Sequence, residues 1–194
     1  VSGSRPADKK TKEQAQKKWN SIAKPLHSLG KLEEDIMQIA ALTGEREVHL
    51  DRKALIVMCA DNGVVEEGVT PTGQEVTAIV AENFLMCNTS AAIMCEKAGV
   101  DIFPIDIGMA ADTKVPRYKT ANGTANMTKG PAMTRKQVLQ AILTGIHQVK
   151  EKKEAGYQII ATGEMGIGNT TTSSAVASVL LEIVPVSFTV RGAV

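Results

Sequence analysis

The chain has 194 residues, 43% of them hydrophobic and 22% charged, a composition typical of a globular protein with one sizeable core. Its 22 basic and 21 acidic residues leave a formal net charge of +1, which excludes the general positive field that gathers nucleic acid. The first twenty residues are Lys-rich without an apolar segment, and no uninterrupted apolar run approaches the roughly 20 residues of a membrane span. We therefore predict a cytoplasmic protein with no nucleic-acid or membrane partner.

The first 45 residues predict a small helical part. Residues 1–10 are expected to be a flexible end, and the polar stretch 11–23 predicts a helix that a Pro/Gly/Ser connector follows. A second helix is predicted over 31–44, because four apolar residues recur there at helical spacing and Gly44 stands where a C-terminal cap belongs. These four are Leu32, Ile36, Ile39 and Ala40.

From residue 46 onward, apolar strands alternate with helices. Strands are predicted over 53–60, 100–108 and 157–162, and Pro104 implies a bulge or an edge in the second. Helices are predicted over 74–86, after the capping residues 88–90, from Thr134 with Gln137 completing a capping box, and over 170–184. The helix from Thr134 carries one apolar face, made of Val138, Ile142, Ile146 and Val149. The alternation predicts an α/β fold, a parallel sheet with helices on both faces.

In such a fold, ligands bind outside the carboxyl ends of the strands. Polar residues stand at each predicted strand end: Asp61-Asn62-Gly63, Asp106-Ile107-Gly108 and Gly163-Glu164. The connection from 109 to 133 is far longer than usual, and we expect it to be a functional loop on this side of the sheet.

The stretch GEMGIGNTT, residues 163–171, matches neither GxGxxG nor the Walker A pattern. A Gly-rich turn between a strand and a helix that opens with Asn169 and Thr170 is compatible with two interpretations. One is an anion site built from free amides at a helix start, and the other is a tight turn whose threonines cap the helix.

Three side chains near these turns also leave alternatives open. Glu164 is suited to a position near a sugar hydroxyl or a developing cation, or it is a solvated loop residue. Gln74 either binds a ligand or caps its helix, and spacing favours the cap. Glu66-Glu67 is expected to be a solvated pair.

The cysteines and histidines form no metal-binding pattern. No CxxC, HExxH or His/Cys cluster occurs, so we predict reduced structural cysteines and no protein-bound metal. The residues concerned are Cys59, Cys87, Cys95, His27, His49 and His147.

Five stretches occur in this order along the chain: KPLHSLGKLEEDIMQIAALTG, CADNGVVEEGVTPTGQEVTAIVAENFL, VDIGM, TANMTKGPAMTRKQ and ATGEMGIGNTT. Together, and above all through the last, they resemble the nicotinate-nucleotide–dimethylbenzimidazole phosphoribosyltransferase family. The resemblance implies transfer of the 5-phosphoribosyl group of nicotinate mononucleotide to 5,6-dimethylbenzimidazole, giving nicotinate and α-ribazole 5′-phosphate. It also implies a homodimer without metal or redox cofactor, with a Rossmann-like large domain and a small helical domain. We assign residues 1–45 to the small domain and 46–194 to an α/β nucleotide-binding domain that is incomplete at its C-terminus.

The family pattern also implies roles for individual residues. Glu164 becomes an active-site carboxylate, and Gln74 lines the pocket for the benzimidazole. The nucleotide and its phosphate are then walled by Met165, Gly166, Ile167 and Gly168, and we expect Asn169 and Thr170 to add side-chain donors there. The family's general base is expected C-terminal to residue 194, so the chain alone is expected to be nearly inactive.

Two positions depart from the family pattern: His27 replaces a usual glycine, and Asn62 stands where histidine is common. A strand or its approach is expected at residues 186–190. Two alternatives remain at this point, a non-catalytic protein that binds the nucleotide or the aromatic base, and the same transfer to another acceptor base.

Overall fold

The structure, a computed structural model, describes residues 6–184. It has two compact units, Val1–Asp51 and Arg52–Val194, and each is described by itself. The strand expected at 186–190 and the first five residues of the expected flexible end lie outside the described residues.

Between residues 6 and 51, the first unit contains the helices α1 (Lys9–Asn20) and α2 (Lys31–Thr43), as the sequence predicts. Helix α1 begins within the segment expected to be flexible, because the Asp8 side chain accepts hydrogen bonds from Lys10 N at 2.9 Å and Thr11 Oγ1 at 2.7 Å. Gly44 ends α2 in the left-handed conformation, with φ 77°. The helices bury a small core made of Ala15, Met37 and Ala40, with Trp19 and Val48 packed against it.

The second unit is built on a parallel sheet, which confirms the predicted α/β class. Among residues 6–184 the strands are β1 (Lys53–Ala60), β2 (Val100–Gly108) and β3 (Ile159–Met165), in the order β2-β1-β3. Pro104 lies in β2, at an edge of this sheet, and the β1–β2 register shifts between Cys59 and Ala60. Strand β3 continues three residues beyond the predicted end, so Glu164 lies inside the strand rather than in the turn.

Within the described part of this unit, the sheet is accompanied by the helices α3 (Glu75–Leu85), α4 (Ser90–Ala98), α5 (Arg135–Glu154) and α6 (Asn169–Leu181). Helices α3 and α4 pack against the face of the sheet that carries Val57 and Cys59, whereas Lys152 of α5 lies over Phe103, which pairs with Ile56 on the opposite face. The main core contains the β1 residues Val57 and Cys59, together with Ala81, Phe84, Ala92, Met109 and Val115. The Thr134–Gln137 capping box forms as predicted, whereas α6 ends at Leu181, earlier than expected, with Glu182 left-handed.

The stretch Glu75–Ala98 is long and apolar enough to cross a membrane by length and composition. It consists of the two helices α3 and α4, of 11 and 9 residues, and neither reaches the roughly 20 residues that a span requires. Between them Cys87 adopts a left-handed φ of 52°, and Thr89 caps α4. Phe84 and Ala92 from this stretch pack into the core of the second unit.

Helix α5 turns a polar face, not its apolar face, toward the sheet. Gln148 and Lys152 are buried, and Lys152 Nζ lies 4.1 Å from the ring centre of Phe103 in β2. The opposite face exposes six large apolar side chains, each 40–63% accessible, and we call it the α5 stripe. Its members are Val138, Leu139, Ile142, Leu143, Ile146 and Val149.

Candidate functional site

The carboxyl ends of β1 and β3 bring together residues that are distant in the sequence. We call this group the strand-end cluster: Asn62, Gln74, Thr77, Glu164, Ile167, Asn169 and Thr172. Hydrogen bonds connect its members across 90 to 110 residues of chain. The predicted site residues Glu164 and Gln74 both belong to this cluster.

Glu164 is the penultimate residue of β3, opposite Met58 in β1. Its side chain is exposed, and its Oε2 accepts a hydrogen bond from Asn169 Nδ2 at 2.5 Å. Desolvation by the surrounding protein raises the pKa of Glu164, and the bond from Asn169 opposes that shift. The structure therefore places an accessible carboxylate, held by a neighbouring amide, where the predicted ligand side of the sheet begins.

The two glycines after β3 are required by the packing of the turn. A Cβ on Gly166 would lie 2.2 Å from the carbonyl oxygen of Ala60. Gly168 has a left-handed φ of 83°, and a Cβ there would lie 2.8 Å from Val65 Cγ2. The turn thus passes too close to β1 and its following loop for any larger residue, which supports the tight-turn interpretation of the glycines.

Two side chains fasten this turn from both sides of Ile167. Thr77 Oγ1 accepts a hydrogen bond from Ile167 N at 3.0 Å, and Asn62 Nδ2 donates to Ile167 O at 3.1 Å. Asn169 N donates to Gly166 O at 3.0 Å. The backbone N–H groups of Thr170 and Thr171 lie in the first turn of α6, where N–H groups have no acceptor inside their own helix. They therefore leave the anion-site interpretation open.

Two other predicted site residues lie beside this turn. Met165 packs against the hydrophobic core, so its side chain belongs to the support of the turn. Thr170 is exposed at the start of α6.

The side chain of Gln74 does not cap α3, so the interpretation that spacing favoured is wrong. Its Nε2 instead donates to the carbonyl oxygen of Asn62 at 2.9 Å. A carbonyl can only accept, so this contact fixes the orientation of the amide. The remaining atom of the amide, Oε1, can only accept a hydrogen bond.

The long loop 109–133 is fastened to the strand ends by two buried carboxylates. Asp106 Oδ1 accepts from Met109 N at 2.8 Å, and Asp61 Oδ2 accepts from Ala110 N at 2.7 Å. Lys119 Nζ lies 3.4 Å from Asp106 Oδ2 in a buried ion pair. The backbone of Thr124 also donates to Asp61 O at 3.0 Å, so the loop lies against the ligand side of the sheet.

Glu66 and Glu67 are both exposed to solvent, as predicted, and each also bonds to residues of the long loop. Lys129 Nζ lies 2.7 Å from Glu66 Oε2, and Asn126 Nδ2 donates to Glu67 Oε1 at 2.6 Å. These bonds lower the pKa of both carboxyl groups, chiefly through Lys129 for Glu66 and through Asn126 for Glu67. Residues of the TANMTKGPAM stretch therefore fasten the loop to the 3-10 helix Gly63–Glu67.

The three cysteines are free thiols, as predicted. Burial raises the pKa of Cys59 to about 12, so this residue behaves as an apolar core side chain. Among residues 6–184, no group of three or more His, Cys, Asp or Glu side chains is arranged to hold a metal ion.

Comparison with known proteins gives a consistent result. A family model described as phosphoribosyltransferase matches residues 4–194. A nicotinate-nucleotide–dimethylbenzimidazole phosphoribosyltransferase of Ruminiclostridium cellulolyticum is 47% identical over 174 residues, which cover 88% of this chain and 49% of the relative. The protein of the same name from Clostridium acetobutylicum is 46% identical over 183 residues, 93% of this chain and 52% of the relative.

A solved structure gives the same picture for the fold. The crystal structure of CobT from Thermus thermophilus is similar with a TM-score of 0.89 and 34% sequence identity. The match covers 94% of this chain and 56% of that one. The chain therefore spans about half the length of the curated relatives that it matches.

Proposed function

The chain belongs to the phosphoribosyltransferase family, and from this premise we propose that it is part of an enzyme that transfers a phosphoribosyl group. The donor would be nicotinate mononucleotide and the acceptor 5,6-dimethylbenzimidazole, with α-ribazole 5′-phosphate and nicotinate as products. The names of the relatives support these substrates. The observation that carries the proposal is the accessible carboxylate of Glu164, held by Asn169 beside a Gly-rich turn at a helix start.

The chemistry of the transfer suits this arrangement. The pyridinium leaving group is already cationic, so when its bond to the anomeric carbon breaks, the electron pair returns to the ring nitrogen without any proton. The anomeric carbon gains positive charge, which the carboxylate of Glu164 would stabilise. Gly166, Ile167 and Gly168 would wall the nucleotide, and the amides of Thr170 and Thr171 would meet its phosphate.

The acceptor would approach from the side of Gln74. One ring nitrogen of the benzimidazole attacks the anomeric carbon, and the proton on the other nitrogen must leave to a general base. We propose that this base belongs to the C-terminal part of the relatives, which follows the region matched by this chain. Gln74, whose amide is held by the carbonyl oxygen of Asn62, would line the pocket and orient the acceptor before attack.

The test uses the longest natural protein that contains these residues, assayed for both products. Replacement of Glu164 by Gln should lower kcat at least about tenfold and change the KM for nicotinate mononucleotide much less. Glu154→Gln, an exposed change on α5, is the control and should have no effect. An unchanged kcat would remove Glu164 from the site, and binding of both substrates without turnover by the natural protein would overturn the proposed activity.

We also propose that the enzyme acts as a cytoplasmic homodimer, without metal or redox cofactor. The resemblance implies the dimer, and the exposed α5 stripe offers an apolar surface of the kind that subunit contacts bury. Ile142→Glu and Ile146→Glu should dissociate the protein in sedimentation experiments, whereas Gln140→Glu, on the same helix, should not. Folded variants that remain dimeric would exclude the stripe as the contact, and loss of folding would assign it to packing within the chain.

A further inference from the structure

Asn62 uses its backbone and its side chain to connect three elements of the strand-end cluster. Its Nδ2 donates to Ile167 O at 3.1 Å, and its Oδ1 accepts from Thr172 Oγ1 at 3.0 Å. Its own carbonyl oxygen accepts from Gln74 Nε2 at 2.9 Å. The residue is only 9% exposed, so these bonds form largely away from solvent.

The chemistry of the partners fixes the orientation of the Asn62 amide. Ile167 O can only accept, so it must face Nδ2, and Oδ1 is left for the hydroxyl of Thr172. The side chain therefore requires one donor and one acceptor in fixed positions. Few side chains of this size provide both.

This residue lies between the two halves of the proposed site. On one side it holds the Gly166–Gly168 turn through Ile167, and on the other it holds the amide of Gln74. A Cβ on Gly166 would lie 2.9 Å from Asn62 Nδ2, so turn and side chain are in close contact. Asn62 thus joins the turn to the side chain of Gln74, in addition to the bond from Ile167 N to Thr77 on α3.

We propose that Asn62 is a positioning residue that aligns the nucleotide, bound at the turn, with the acceptor base, bound at Gln74. The inference rests on the proposed function. Transfer requires the attacking nitrogen to lie about 3–3.5 Å from the anomeric carbon, and a displacement of about 1 Å can lower a rate about 100-fold. Loss of the Asn62 bridge should therefore act on kcat more than on the KM of either substrate.

Three substitutions separate positioning from packing. Asn62→Asp keeps the acceptor for Thr172 but turns a carboxylate oxygen toward Ile167 O, so it should release the turn and lower kcat about tenfold or more. Asn62→His restores one donor and one acceptor in a neutral imidazole, and kcat should stay within about threefold of the natural enzyme. Thr172→Val removes a single hydroxyl and should have a smaller effect, with Ser173→Ala, an exposed change on α6, as its control.

A double-mutant cycle gives a measurement that a structural role would not change. Gln74→Ala should lower kcat strongly in the natural background and much less in the Asn62→Asp background, because alignment is already lost there. Thermal unfolding of every variant accompanies the kinetics. If Asn62→Asp does not fold, Thr172→Val takes its place in the cycle, because it also removes a bond of the Asn62 side chain.

The outcomes separate this inference from the proposed function. Failure of the natural protein to form a ribazole phosphate would overturn the proposed function. If the natural enzyme is active, additive effects of the two substitutions on kcat would overturn the positioning role. Asn62 variants that lower the midpoint of thermal unfolding but leave kcat unchanged would overturn it as well.

Discussion

The side-chain amide of Asn169 lies 2.5 Å from Oε2 of Glu164 and donates a hydrogen bond to it. This bond joins the end of β3 to the first residue of α6 across the Gly-rich turn. It also acts on the protonation of the carboxyl group, because it favours the charged form that desolvation disfavours. The bond from Asn169 therefore lowers the pKa of Glu164 against the larger, raising effect of desolvation.

Replacement of Asn169 by Ala should raise the pKa of Glu164 further. The hydrogen bond is the influence that lowers this pKa, and desolvation, which raises it, would remain. The acid limb of the profile of kcat against pH should therefore move to higher pH in the full natural protein. An acid limb that does not move would mean that Glu164 does not have to be ionised for turnover.

Glu164→Gln should make the protein more stable at neutral pH. The pKa of Glu164 is raised above its ordinary 4.5 in the folded state, so its contribution to stability is fully present below 4.5 and is lost as the pH rises through the folded value. Gln does not titrate and avoids that loss. The midpoint of thermal unfolding should exceed that of the natural protein at pH 7 and match it well below 4.5, whereas Glu154→Gln should show no such pH-dependent difference.

The sequence could predict the elements of the fold because local patterns determine them. The apolar run 53–60, the capping box of Thr134 and Gln137, and Gly44 all depend on neighbouring residues. The end of β3 was predicted wrongly, because Gly163 resembles a turn residue. Gly163 instead lies inside the strand, where the lack of a side chain allows β3 to pack closely against β1. A Cβ on Gly163 would lie 3.3 Å from Val57 Cγ2.

The strand-end cluster could be predicted only in part. Glu164 and Gln74 stood out at strand and helix ends, but the bonds of Asn62 and Thr77 to Ile167 cross 105 and 90 residues of sequence. No local pattern carries that pairing. For the same reason the sequence does not predict the bonds of Glu66 and Glu67, whose partners Lys129 and Asn126 lie about 60 residues away.

Gly166→Ala and Gly145→Ala should change stability in opposite directions. A Cβ at Gly166 would meet the Ala60 carbonyl oxygen at 2.2 Å, and the resulting shift should lower the free energy of unfolding by about 1–3 kcal/mol. At Gly145, inside α5, a Cβ meets nothing within 4 Å, and Ala should raise the free energy of unfolding by about 0.5–1 kcal/mol. Denaturant titration measures both. Equal effects would contradict the close approach of the turn to β1.

In the first unit, Lys24→Met should lower the midpoint of thermal unfolding. Lys24 Nζ lies 2.6 Å from the buried carboxylate of Glu33, and this bond lowers the Glu33 pKa. The stabilisation that this pair provides is therefore fully present above pH 4.5, the ordinary pKa of a glutamate, and is lost as the pH falls through the lowered pKa of Glu33. Lys18→Met removes a comparable bond to the exposed Glu47 and should have almost no effect. A similar loss in both variants would mean that the burial of Glu33 is unimportant.

Gln148→Met should stabilise the second unit. Gln148 is 0% exposed on the inner face of α5, and neither Nε2 nor Oε1 has a hydrogen-bond partner among the residues that the structure describes. Burial of an unsatisfied amide destabilises a fold, and Met has nearly the same length without the polar atoms. The free energy of unfolding should rise by about 1–3 kcal/mol, measured by denaturant titration, with the exposed Gln140→Met as the neutral control. A decrease would instead place a bonded partner, such as a buried water, at this amide.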